Sequence, residues 1–142
     1  MTPTVTDKTQ QIINFFNQLP FNRFMGISLI ELGDGHAEMS VNYNPNFVGD
    51  RHSKVIHGGV VTTLLDAACG AAVMSAGVPK VPTATIDLRI DYLRSARPGR
   101  TIFAKAHCFR ITANVAFVRA EANDGSSDVN VALANGAFTS PI

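Results

Sequence analysis

One segment constrains the fold of this chain more than any other. Residues 58–76 read as a helix on which Val60, Val61, Leu64, Leu65, Ala67, Ala68, Ala71, Ala72, Val73 and Met74 cover nearly the whole circumference. A helix that is apolar all round must be enclosed by other elements. Inside it stands Asp66, which with Cys69 is the only ionisable side chain between His57 and Pro79. Burying a carboxylate costs several kcal/mol unless it is paired or hydrogen-bonded. Asp66 lies too far past Gly58 to cap the helix, so two explanations stay open. It is either a structural ion pair or hydrogen bond, or a working group, since perturbed carboxylates gather at functional sites.

What could enclose such a helix is written on both sides of it. Residues 27–32 and 36–43 read as a hairpin around Gly33-Asp34-Gly35, and the second strand alternates Ala37, Met39, Val41 and Tyr43 against His36, Glu38, Ser40 and Asn42. Residues 44–56 form a polar loop. After the helix, residues 83–93, 101–111, 115–123 and 129–138 read as strands, with turns at Pro98-Gly99 and Asp124-Gly125-Ser126. Residues 6–19, with Ile12, Phe15, Phe16 and Leu19 at helical spacing, read as an amphipathic helix that Pro20 ends. Long strands joined by short turns favour an antiparallel sheet. Such a sheet buries an all-apolar helix only by curling around it. The expected class is therefore α+β, a hotdog fold with an N-terminal helix, and 142 residues make one domain spanning 1–142.

Composition removes several function classes. A net charge of +1 gives no electrostatic footprint for nucleic acid or an anionic membrane. Cys69 and Cys108 are far apart with no CxxC spacing, which points to neither a disulfide framework nor a metal site. The first residues lack a basic segment followed by an apolar one, and the longest apolar stretch, 67–78, falls short of the roughly 18 residues a bilayer span needs. The expectation is a soluble, reduced, cytoplasmic protein without cofactor. Its modest 16% of charged residues hints that some surface is covered by another subunit.

His57-Gly58-Gly59 opens the apolar helix. Two glycines at a helix start let a ligand approach the backbone, and outward N–H groups with the positive helix end suit a developing oxyanion. An ordinary loop-to-helix turn would use the same residues. Helical spacing puts Asp66 on one face with Gly59, Thr62, Thr63, Cys69, Gly70 and Val73. Asp66 is too far down the helix to reach a carbonyl held at the head of its own copy. A second, antiparallel helix from a symmetric partner would bring the two together.

Three stretches then carry a family resemblance. Residues 55–66 (VIHGGVVTTLLD), 83–94 (TATIDLRIDYLR) and 114–120 (NVAFVRA) resemble the PaaI-type acyl-CoA thioesterases of the hotdog superfamily, and the likeness runs from about residue 24 to the end. The resemblance implies hydrolysis of acyl-CoA in a homodimer or dimer of dimers, with no nucleic acid or membrane partner. It implies that the Gly59 amide polarises the thioester carbonyl, that Asp66 of the partner acts as general base or nucleophile, and that His57 orders the loop. Gly58, Thr63 and Thr85 would contact substrate. Many relatives carry an Asn six or seven residues before the histidine, where this chain has Asp50 and Arg51. Asp50 could accept hydrogen bonds there but cannot donate when ionised. Lys54, Arg89, Arg94, Arg97, Arg100 and Arg110 are candidate partners for CoA phosphates, though each also reads as solvated surface charge. Two other uses of such a groove are a dehydratase or hydratase on acyl thioesters, which needs a His and a carboxylate across the substrate, and an acyl-CoA-binding module without turnover.

Overall fold

The computed structural model describes residues 5–77 and 82–141. Residue 78, the end of the apolar stretch noted above, lies outside them. The chain runs α1 (Val5–Gln18), α2 (Pro20–Met25), β1 (Ile27–Gly33), β2 (His36–Val41), a 3₁₀ turn (Pro45–Phe47), α3 (Gly58–Ser75), β3 (Thr85–Tyr92), β4 (Ile102–Ile111), β5 (Val115–Asn123) and β6 (Ala132–Thr139). The short α2 was not legible in the sequence. Pro20 does end α1, but at the first position of a new helix, where proline's missing N–H costs nothing.

The six strands form one antiparallel sheet in the order β1-β2-β4-β5-β6-β3. The β1–β2 hairpin turns through Asp34 (φ 48°) and Gly35 (φ 81°), the paired left-handed conformation that Asp-Gly serves best. α3 touches all six strands, which is the hotdog arrangement expected from the pattern. The concave face is lined by Ala104, Ala106, Ala116, Ala120, Ala122, Ala132 and Ala134, all buried. Small side chains here let the curved sheet close on Leu64, Leu65, Ala68, Ala71 and Ala72 of the helix, which are all buried.

Enclosure of α3 is incomplete in one chain. Thr62, Thr63, Asp66, Ala67, Gly70 and Met74 form a stripe that is only partly covered, on the side the sheet leaves open. Cys69 and Val73, expected beside Asp66, instead point into the core and are fully buried. By length and composition α3 itself could cross a membrane, but half of it is buried inside the fold and it sits as the sheet's core.

β3 is an edge strand whose apolar side is thinly covered. Leu88 and Ile90 pack on the core, whereas Ile86, Tyr92 and the following Leu93 remain about half exposed. Beyond it the chain is pinned by Asp124, which is 3% exposed. Arg94 grips its carboxylate with both terminal nitrogens (3.1 and 2.7 Å), and the Arg97 and Ser126 amides and the Ser126 hydroxyl complete its shell. That shell, led by the guanidinium, holds Asp124 well below the usual carboxylate range. Breaking a buried pair by removing one partner typically costs about 3–5 kcal/mol. Asp124→Ala is therefore predicted to lower the urea midpoint by a corresponding amount. Because the folded carboxyl titrates below the unfolded one, its contribution is present above about pH 4 and is lost as pH falls below that. Asp124→Asn should flatten the acid limb of the stability curve, and an unchanged limb would remove this assignment.

Candidate active site

The site begins with the loop that delivers the chain to α3. The Gly49 N–H donates to Val55 O (2.9 Å) and the His57 N–H to Phe47 O (2.8 Å), folding residues 47–57 into a closed loop. Gly49 is required there, because a Cβ would fall 2.8 Å from the His57 Cα. Asp50 sits in the exposed turn beyond. Its carboxylate accepts from the His52 amide, the Ser53 amide and the Ser53 hydroxyl (2.6 Å), and the hydroxyl chiefly keeps its pKa low. These bonds stay within its own turn rather than reaching the groove of the same chain.

His57 is the N-cap of α3, and its Nδ1 accepts from the Gly59 N–H at 2.9 Å. The expectation of outward, free amides is corrected at this residue: the first turn's orphan donor is satisfied by the imidazole, as caps usually do. The ring takes that role only with Nδ1 unprotonated. Tyr92, at the end of β3, lies over the same helix head. Its hydroxyl bonds Gly58 O at 3.1 Å and also meets the Thr62 hydroxyl. Thr63 stands on the open stripe beside Gly59, but its hydroxyl returns to Gly59 O (2.9 Å).

Asp66 is half-buried on that stripe, and the Thr85 hydroxyl donates to its Oδ1 at 2.7 Å. Two residues singled out separately in the sequence thus meet directly, across 19 positions, because β3 crosses the open side of α3. Among the described residues Thr85 is the hydrogen-bond partner recorded for Asp66, and neither ion pair involves it. A structural ion pair is therefore excluded within the described chain. Along the helix, seven residues separate Asp66 from Gly59, about 10 Å at the α-helical rise. One copy does not bring amide and carboxylate to the same carbonyl.

Beside Asp66 opens a cavity of about 290 Å³. Its walls are Phe15 and Phe16 of α1 with Leu19 just after it, Ala67, Gly70 and Met74 of α3, and Pro82, Thr83, Thr85 and Phe138. The apolar face of α1 is plain from its spacing, but nothing in that spacing says that the face lines a cavity. Gly70 was a legible signal, because a glycine in a helix interior lowers helix propensity and needs another reason to be there.

Cys69 is a packing residue. Burial, with the nearby Asp66 charge adding to it, pushes its thiol up to about 12, so no thiolate is available near neutrality. Arg94 leaves the set of candidate phosphate-binding cations, since its guanidinium is committed to Asp124. Arg89 is exposed and pairs with Asp91 (3.3 Å).

A family model described as the thioesterase superfamily matches residues 53–130, the stretch that holds the histidine-glycine turn, Asp66, β3 and the Asp124 turn. The medium/long-chain acyl-CoA thioesterase YigI of Salmonella typhimurium is 32% identical over 75% of this chain and 77% of its own. Among solved structures, a mutant of the phenylacetic acid degradation protein PaaI from Thermus thermophilus superposes with a TM-score of 0.74 at 26% identity, covering 85% of this chain and 98% of that one. The PaaI protein of E. coli reaches 0.83 over 96% of both chains at 22% identity, a likeness of fold. The chain is thus similar to these proteins in sequence and in shape, and it belongs to the thioesterase superfamily, built on the hotdog fold.

Proposed function

We propose that this chain hydrolyses acyl-CoA thioesters to free acid and CoA, at a groove completed by a second copy. The observation that carries the reading is Asp66: a carboxylate held by Thr85 at 2.7 Å, unpaired with any cation among the described residues, at the mouth of an apolar cavity. Family membership and the YigI relatives, whose names specify medium and long acyl chains, support the substrate class.

The chemistry follows from the positions. Thr85 fixes one oxygen of Asp66, leaving the other to take a proton from water as it attacks the thioester carbonyl. The oxygen of that carbonyl gains charge and is received by the Gly59 N–H of the partner copy, with the His57 imidazole yielding the amide as substrate arrives. Collapse of the tetrahedral intermediate breaks the C–S bond, and the proton held by Asp66 passes to the departing thiolate. His57 caps and orders the loop, Gly58 and Gly59 give room for approach, and Thr63 and Asp50 border the groove.

Assembly through the open side is supported by three features of one chain. The α3 stripe is only partly covered, β3 presents an unpaired edge, and Ile86, Tyr92 and Leu93 expose apolar surface beside it. A symmetric pairing there covers all three and sets two antiparallel α3 helices together. Two free, buried cysteines fit a reducing, cytoplasmic setting.

Thiol release across a panel of acyl-CoAs tests the activity, and absence of turnover on every member would reject it. Light scattering tests assembly. A dimer or tetramer is predicted at micromolar concentration, and a mass near the 15.2 kDa of one chain would defeat the shared groove.

A further inference from the structure

We propose that the cavity between α1 and α3 is the acyl-chain site, that it takes a linear chain of medium length, and that Gly70 and Met74 set that length. The inference rests on the hydrolytic reading of Asp66 and adds which substrates the site accepts.

Asp66, Gly70 and Met74 occupy successive turns of α3 at four-residue spacing, and all three line the cavity. From the carboxylate to the methionine is about 12 Å along the helix. The lining thus extends along the helix from the reacting group, which suits a straight chain better than a compact ring. Its walls are apolar in detail as well as in composition. The Thr83 hydroxyl is turned to Thr139 O (2.6 Å), and its methyl faces Gly70, 4.0 Å from where a Cβ would stand. Thr85 spends its hydroxyl on Asp66. Past the carboxylate, the lining is mainly apolar.

The size is decided by the volume. A cavity of about 150 Å³ holds one benzene, so about 290 Å³ at the same filling holds on the order of ten to twelve carbons. Gly70 is one control on that space. A Cβ there would meet Phe138 at 3.9 Å and Thr83 at 4.0 Å, which is ordinary contact, so alanine fits the fold while filling the channel. Met74 lines the cavity about two turns beyond Asp66 with a flexible side chain, which adapts to small differences in chain length. The outer wall is α1, held to β1 by Asn17, which accepts from the Leu29 N–H at 2.7 Å. Phe15 and Phe16 of α1, with Leu19 just after it, line the cavity.

The test measures kcat/KM by thiol release on butyryl-, decanoyl- and hexadecanoyl-CoA for the full chain and for Gly70→Ala, Gly70→Leu and Met74→Ala. Each methylene left in water costs roughly fourfold. The wild type should prefer decanoyl-CoA. The decanoyl-to-butyryl ratio should fall stepwise from Gly70→Ala to Gly70→Leu, by at least about tenfold for leucine. Met74→Ala should raise the hexadecanoyl-to-decanoyl ratio. Losses equal at all chain lengths would overturn the assignment while leaving hydrolysis by Asp66 intact. Calorimetric binding of the non-hydrolysable thioethers decyl-CoA and butyl-CoA separates the two failures. Preference for decyl-CoA that Gly70→Leu abolishes supports the chain site even in a protein without turnover, and equal binding of both by the wild type rejects it. Circular dichroism checks folding, and if the leucine variant misfolds the alanine variant carries the comparison.

Discussion

Asp66→Asn is expected to lower kcat by roughly 10²–10⁴, the range for a positioned general base, while Cys69→Ala stays within a few-fold of wild type. The two residues are three apart on α3, and a thiol near a thioester invites trans-acylation. The structure separates them. Asp66 lies on the open stripe with its carboxylate at the cavity mouth, whereas Cys69 faces the sheet, fully buried, with a thiol pushed up to about 12. Asparagine keeps the bond from Thr85 and the volume of the side chain, so only the proton acceptor is lost. Both variants should elute with the native oligomer. An inactive Cys69→Ala beside an active Asp66→Asn would reverse the mechanism.

Gly59→Val is expected to lower kcat by about 10²–10³, the effect of losing one oxyanion donor. A Cβ at Gly59 meets nothing within 4 Å except the imidazole of His57, whose Nδ1 would lie 2.9 Å away. The substitution therefore displaces the cap and blocks the amide from a carbonyl, without touching the core. His57→Ala is the informative companion. It removes the cap, a loss of about 1 kcal/mol in stability, but leaves the Gly59 N–H open to substrate, so activity should stay within about tenfold of wild type if His57 only orders the turn. A His57→Ala variant as inactive as Asp66→Asn would instead make the imidazole a proton carrier and bring the dehydratase reading forward.

What could be read without coordinates followed from local rules. The period of the apolar residues located α3 to within one residue, alternation located β2 with two residues too many at its end, and the turns located β4 and β5 to within one residue. These elements have side chains whose burial repeats along the chain, so position alone reports environment. Residues 83–93 hold apolar Ile86, Leu88, Ile90 and Tyr92 at alternate positions, yet Ile86 and Tyr92 are about half exposed. The pattern records a face that is apolar, not what covers it. α2 was missed because six residues are too few to show a helical period.

The carboxylate and the glycines to which we assign the chemistry stand out in the bare chain, since a lone Asp in an apolar helix and a glycine pair at its start break the local pattern and need no neighbour to be noticed. How they are used came from long-range packing. Folding turned Cys69 into the core and Asp66 out of it, although three residues separate them, because a sheet curled round one side of a helix leaves a stripe rather than a face. It committed Arg94 to Asp124, gave the Gly59 amide to His57, and set Thr85 on Asp66. It also brought α1 across from the far end of the chain to wall the cavity beside the carboxylate. Most of these are pairings between segments distant in sequence, and no local periodicity encodes which distant side chain will arrive.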